Sequence, residues 1–160
     1  MIGGVARRVS SPVLVGRDGE LAQLGAVLQR AASGRPAIVV VAGEAGVGKT
    51  RLAAELTHHA TQAGLVVLSG GCLDVGEGVL AYAPMVEALR TLARTLDSEQ
   101  LAQVLGGARG ELSRLVPELG GGPGGEPATA ATLPPTRLFE LLLGVLHRLA
   151  ARGPVLLVVE

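Results

Sequence analysis

The sequence predicts an α/β fold, a three-layer core in which helices cover both faces of a mostly parallel sheet. Three short apolar runs, at residues 38–42, 65–68 and 155–159, alternate with amphipathic helical patterns. Each run is continuous rather than alternating, as in a strand buried on both faces of a parallel sheet. At 160 residues the chain is about one domain in size.

Residues 1–12 show no usable periodicity and read as a loose leader, followed by a domain over 13–160. Leu21, Leu24, Leu28 and Ala31 recur at helical spacing, with Asp18 and Glu20 at the start, where a helix dipole favours acids. Gly34-Arg35-Pro36 stops that helix. The 38–42 run then predicts a buried strand, and a Gly-rich turn leads into a second helix over about 49–63. Gly64 ends it, and 65–68 reads as the next strand.

Pro84 suits a first helical turn, and Val86, Leu89, Ala93 and Leu96 give that helix an apolar face. Asp97 with Gln100 resembles a capping box for a short helix over Leu101, Val104 and Leu105. Leu112, Leu115 and Val116 suggest another helix, ended near Pro117. Residues 120–135 are almost all Gly, Pro, Ala and Thr and read as a flexible insert. Leu138, Leu141, Leu142, Val145 and Leu149 then mark an amphipathic helix, with Glu140, Gly144, His147 and Arg148 opposite. Arg152-Gly153-Pro154 breaks it before the 155–159 strand. Such sheets carry their ligands at the carboxyl ends of the strands.

Composition excludes several functions. Tyr82 and Phe139 are the only aromatic residues, which removes base stacking as a binding mode. Fourteen basic residues balance fourteen acidic ones without a run of one sign, which argues against nucleic acid or an anionic membrane as a partner of this segment. No apolar run approaches the length that spans a bilayer. Cys72 is alone, so no intrachain disulfide forms, in keeping with a cytoplasmic protein. His58 and His59 are adjacent on a helix, point in different directions and make a poor metal pair.

Gly43-Glu44-Ala45-Gly46-Val47-Gly48-Lys49-Thr50 matches G-x-x-x-x-G-K-[ST] in full. The glycines let the chain turn tightly and bring backbone N–H groups to phosphate oxygens, and the following helix adds its unsatisfied N–H groups and dipole. Lys49 is placed to reach the β- and γ-phosphates, and Thr50 to give Mg²⁺ a hydroxyl ligand. With 24 Gly, 14 Ser plus Thr and one Lys, chance produces such a match in roughly 0.2% of chains of this composition. Thirteen of the fourteen basic residues are Arg, and the single Lys is Lys49. The motif predicts a bound nucleoside triphosphate, ATP with Mg²⁺.

Residues 155–159 followed by Glu160 form the pattern of a Walker B strand, whose carboxylate holds Mg²⁺ directly or through water. The other reading of Glu160 is a solvated strand end.

Leu14-Val15-Gly16-Arg17 with Glu20-Leu21, then the 43–50 motif with Arg51-Leu52, resembles the AAA-type ATPase domain of STAND regulators, especially the large LuxR-family transcriptional activators and related signalling ATPases. Gly70 to Asp74, Tyr82-Ala83-Pro84 before Val86-Glu87-Ala88-Leu89, and Leu138-Phe139 leading to 154–160 resemble the same domain in order. The resemblance implies a P-loop NTPase core that acts as an ATP-driven switch in transcription regulation. It implies that Val15, Gly16 and Arg17 lie on the adenine side or at the domain edge. It also implies a homo-oligomer or a downstream DNA-binding domain in a full-length relative.

In that family further strands, a sensor residue, arginine contacts to the γ-phosphate and a helical lid follow the Walker B acids. The chain therefore reads as an amino-terminal part, truncated after the Walker B strand, with little or no hydrolysis alone. The family's sheet also places one later strand between the run before the P-loop and the Walker B strand, so a gap with unpaired N–H and C=O groups is expected there. The alternatives are an ATP-hydrolysing AAA-type enzyme and a nonfunctional fragment.

Overall fold

The computed structural model describes residues 16–71, 82–120 and 133–160. The expected leader, Val15, Cys72 and most of the 120–135 insert lie outside the described residues.

Among the described residues six α-helices and two strands follow one another as α1 (Asp18–Ala32), α2 (Lys49–Gln62), β1 (Val66–Gly70), α3 (Ala83–Thr95), α4 (Ser98–Leu105), α5 (Arg109–Leu115), α6 (Pro135–Ala150) and β2 (Val155–Val159). The strands pair in parallel, from Val66 opposite Val155 to Gly70 opposite Val159, so α3 to α6 form the crossover between them. The strand at 65–68 is thus displaced toward Gly70. The Leu65 N–H is already used in closing α2, donating to the Ala60 carbonyl at 3.0 Å, and Leu65 packs as a buried contact beyond the helix end.

The main core lies on one face of this pair. Leu68 joins Ala88, Leu89 and Leu92 of α3, Leu101, Val104 and Leu105 of α4, and Leu112 of α5. The α6 stripe of Leu138, Leu141, Leu142, Val145 and Leu149 is buried in full, as its spacing predicts. On α3 the buried line runs through Leu92 instead, with Val86, Ala93 and Leu96 at its margin. Leu52 and Ala60 of α2 stay outside that cluster although α2 touches both strands, which puts α2 on the opposite face. Helices therefore flank a parallel pair on both sides, the α/β arrangement that the sequence predicts.

Local chemistry explains the boundaries. The Asp97 carboxylate accepts from the Gln100 N–H at 2.8 Å and caps α4. A Cβ added at Gly70 would lie 1.8 Å from the Pro84 carbonyl oxygen, so α3 docks its first turn on β1 only where no side chain intervenes. Tyr82 and Phe139 meet edge to face at 5.6 Å. Gly120 closes a 3₁₀ turn over Pro117–Gly120, and Pro135 opens α6.

Two expectations fail. Arg148, placed opposite the apolar face of α6 by its spacing, turns inward and is half-buried. Its guanidinium donates to the Val104 and Leu105 carbonyls at 2.5 and 2.8 Å, closing the end of α4. Residues 38–42 form no strand. Ile38 is 94% exposed and Val40 84%, and their backbone groups have no hydrogen-bond partner among the described residues. The run has the composition of a buried strand but no pairing neighbour among the described residues. β2 is also only half-covered, with Leu157 and Val159 exposed, and of the predicted α1 stripe only Leu24 is buried. No described helix is long and apolar enough to cross a membrane.

Candidate functional site

Residues 43–50 link the unpaired 38–42 run to α2. The turn closes through the Val47 N–H, which donates to the Glu44 carbonyl at 3.4 Å. Gly46 and Gly48 sit in the left-handed region with φ of 80° and 98°, which L side chains adopt only at a cost. Around both glycines an added Cβ would meet no atom within 4 Å, so the space above this part of the loop is open. At Gly43 a Cβ would lie 2.9 Å from Val47 Cγ1.

Gly48 is the cap residue of α2 and offers no side chain, and the first turn of α2 contains no acid. The first-turn N–H groups and the positive end of the dipole are therefore not neutralised from within the helix. Such an end suits an anion. Lys49 folds back over the loop and its Nζ donates to the Gly43 and Glu44 carbonyls at 2.8 and 2.9 Å. Thr50 follows with an exposed side chain. Glu44 and Ala45 are exposed at the crest of the loop.

Arg17, immediately before α1, reaches the same loop from outside. Its Nη2 donates to the Val47 carbonyl at 3.2 Å, while Nη1 pairs with the Glu20 carboxylate one turn on. That hydrogen bond holds the Glu20 carboxyl below the usual glutamate range. Between α1, residues 39–43 and the start of α2 lies a cavity of about 390 Å³, walled by Leu24, Val27, Val39, Val41 and Leu52 with Arg17 and Gln23 at its polar edge.

The structure thus brings Arg17 together with residues 43–50. Gly16, with φ of 74°, stands just before Arg17, and Val15 lies outside the described residues. Glu160 sits at the carboxyl end of β2, where its N–H donates to the Gly70 carbonyl at 3.0 Å, and α2 packs near that strand. Among the described residues no three His, Cys, Asp or Glu side chains form a metal cluster, and His58 and His59 instead face Gln62 and Glu55. Sequence reasoning missed the link from Arg17 to Val47 and the apolar cavity. The i, i+3 spacing of Arg17 and Glu20 was a signal for the ion pair, but nothing local points to an acceptor thirty residues away.

A left-handed glycine at the uncapped start of a helix, followed by a lysine folded over the loop carbonyls, is the geometry of a P-loop. Residues 13–160 match the family model of the AAA ATPase domain. The chain belongs to that family. Its fold is accordingly that of a P-loop NTPase, here with a small parallel sheet. AAA ATPase domains generally bind ATP with Mg²⁺, and the open, uncapped loop of this one fits such a ligand. Neither the curated proteins nor the solved structures compared with this AAA ATPase domain give a match.

Proposed function

We propose that this AAA ATPase domain binds ATP with Mg²⁺ at residues 43–50 and serves as the nucleotide-binding module of a STAND-type signalling or transcriptional regulator, with binding rather than turnover as its output. The observation that carries the reading is the uncapped start of α2 beneath Gly48 and Lys49. The N–H groups of the loop and of the first turn of α2 hold the phosphate oxygens, with Gly43, Glu44, Ala45, Gly46 and Val47 supplying the loop backbone. Lys49, a flexible ammonium, would exchange its two carbonyl contacts for the β- and γ-phosphates. Thr50 and Glu160 would hold the Mg²⁺, which when bound would neutralise charge on the phosphate oxygens. By the resemblance, the base would lie on the side of Gly16. Bound ATP biases the regulator between two shapes only by its different affinity for them.

Calorimetric titration tests the binding. Wild type is expected to bind ATP in the presence of Mg²⁺, with AMP much weaker for want of β- and γ-phosphates, and Lys49→Ala is expected to abolish the ATP signal. An ATP affinity that survives Lys49→Ala refutes the site. The position of Glu160 at the carboxyl end of β2 favours a second reading, an ATP-hydrolysing enzyme. Steady phosphate release above the Lys49→Ala background establishes that reading and removes the switch.

A further inference from the structure

We infer that Arg17 is a positioning residue for the phosphate cradle, fixing the peptide plane between Val47 and Gly48, and is not a contact to the base. The inference rests on the nucleotide-binding reading above and assigns Arg17 differently from the adenine-side role that the resemblance implies.

The geometry is specific. The guanidinium hydrogen bond ends on the Val47 carbonyl, inside the loop. A trans peptide is planar, with its C=O and N–H pointing in opposite directions, and no cis peptide occurs among the described residues. Holding the Val47 oxygen toward α1 therefore turns the Gly48 N–H away from α1. Gly48 needs this constraint because its left-handed backbone has no side chain to restrict it, and an added Cβ would meet no atom within 4 Å. Lys49 fastens the other end of the loop through the Gly43 and Glu44 carbonyls. When Lys49 leaves them for a phosphate, the Arg17 contact remains.

Glu20 has a part in the same device. Its carboxylate occupies Nη1 and leaves Nη2 for Val47, so one planar fork serves both acceptors. A lysine at position 17 keeps the charge and can still donate to the Val47 carbonyl, losing only the fixed plane of the guanidinium fork.

The test uses the whole chain and two probes, ATP and inorganic tripolyphosphate, each with Mg²⁺. Arg17→Ala is expected to weaken both by the same factor, about tenfold for one lost charge-assisted contact. The loss is expected to persist at 0.5 M salt, where a Debye length of about 4 Å screens simple long-range attraction. Arg17→Lys is expected to restore most of the affinity for both probes. In the ligand-free protein the Gly48 amide ¹⁵N resonance is expected to move in Arg17→Ala and to return toward its wild-type position in Arg17→Lys.

ATP weakened with tripolyphosphate unchanged makes Arg17 a base contact and overturns the inference. So does a loss that vanishes at 0.5 M salt, or a Gly48 resonance indifferent to both substitutions. If Arg17→Ala does not fold, Arg17→Lys alone decides: equal, small losses for both probes support the inference, and a loss confined to ATP overturns it. If wild type binds neither probe, the nucleotide-binding reading fails, an outcome distinct from any failure at Arg17.

Discussion

Replacing Gly48 by Ala separates two roles of one glycine. In the free protein the new Cβ meets nothing within 4 Å, so the only penalty is the left-handed backbone at φ 98°. That penalty is about 1–2 kcal/mol for an L residue. For a chain of this length it lowers the melting temperature by roughly 2–8 °C. Gly34→Ala is the matched control: φ is 79°, the space is equally open, and the residue closes α1 outside the loop. The two variants are therefore expected to lose similar stability.

They part when ATP is added. A Cβ at Gly48 enters the space where the phosphate approaches the loop, and forfeiting one charge-assisted hydrogen bond of about 1.5–3 kcal/mol weakens binding roughly 10- to 150-fold. ATP at 100 times the wild-type dissociation constant stabilises wild type and Gly34→Ala by about 2.7 kcal/mol, and a variant 100-fold weaker by only about 0.4 kcal/mol. Thermal unfolding with and without Mg-ATP reads both quantities in one experiment. Gly48→Ala binding within threefold of wild type, or Gly34→Ala losing as much affinity, refutes the assignment of the cradle.

Arg148→Met keeps the aliphatic stem but leaves the Val104 and Leu105 carbonyls without their charged donor. The cost is expected to be about 2 kcal/mol, seen as a lower urea midpoint with unchanged slope, and a change under about 0.5 kcal/mol contradicts the capping role. Acid stability has an identifiable source at Glu111, whose carboxylate accepts from Arg137 at 2.5 and 3.0 Å and is held below the usual glutamate range chiefly by that hydrogen bond. Because the folded-state pKa is depressed, the unfolded chain binds the extra proton first, so the stabilisation is complete above the ordinary value and disappears as pH falls through the folded one. Melting temperatures from about pH 7 to 3 are expected to fall less steeply for Glu111→Gln than for wild type, and parallel curves count against the pair.

Much of the fold was legible because its signals are local. The five buried positions of α6, the Asp97 cap of α4 and the bounds of β2 follow from spacing and side-chain chemistry within a few residues. The P-loop was legible for the same reason, since its glycines, Lys49 and the start of α2 are consecutive. What was not legible depends on neighbours distant in sequence. Arg148 reads as solvent-facing until α4 ends beside it, and Arg17 reads as an adenine-side or domain-edge residue until Val47 comes within reach. The 38–42 run reads as a buried strand because β-branched residues fit one, yet burial needs a partner that no property of the run itself provides.

The packing also places the site on the less consolidated half of the molecule. Buried side chains concentrate in α3 to α6, whereas α1 contributes only Leu24 and α2 only Leu52 and Ala60. Elements with few buried contacts open at lower free energy than the core. The P-loop is therefore joined to α1 chiefly through one guanidinium and a thinly walled cavity rather than through a packed interface. A ligand that fixes the loop acts on the part of the described fold with the fewest buried side chains, where local opening is expected to be easiest. On the proposed reading, in which binding is the output, ATP need only favour the arrangement in which α1, the 38–42 run and α2 are held together.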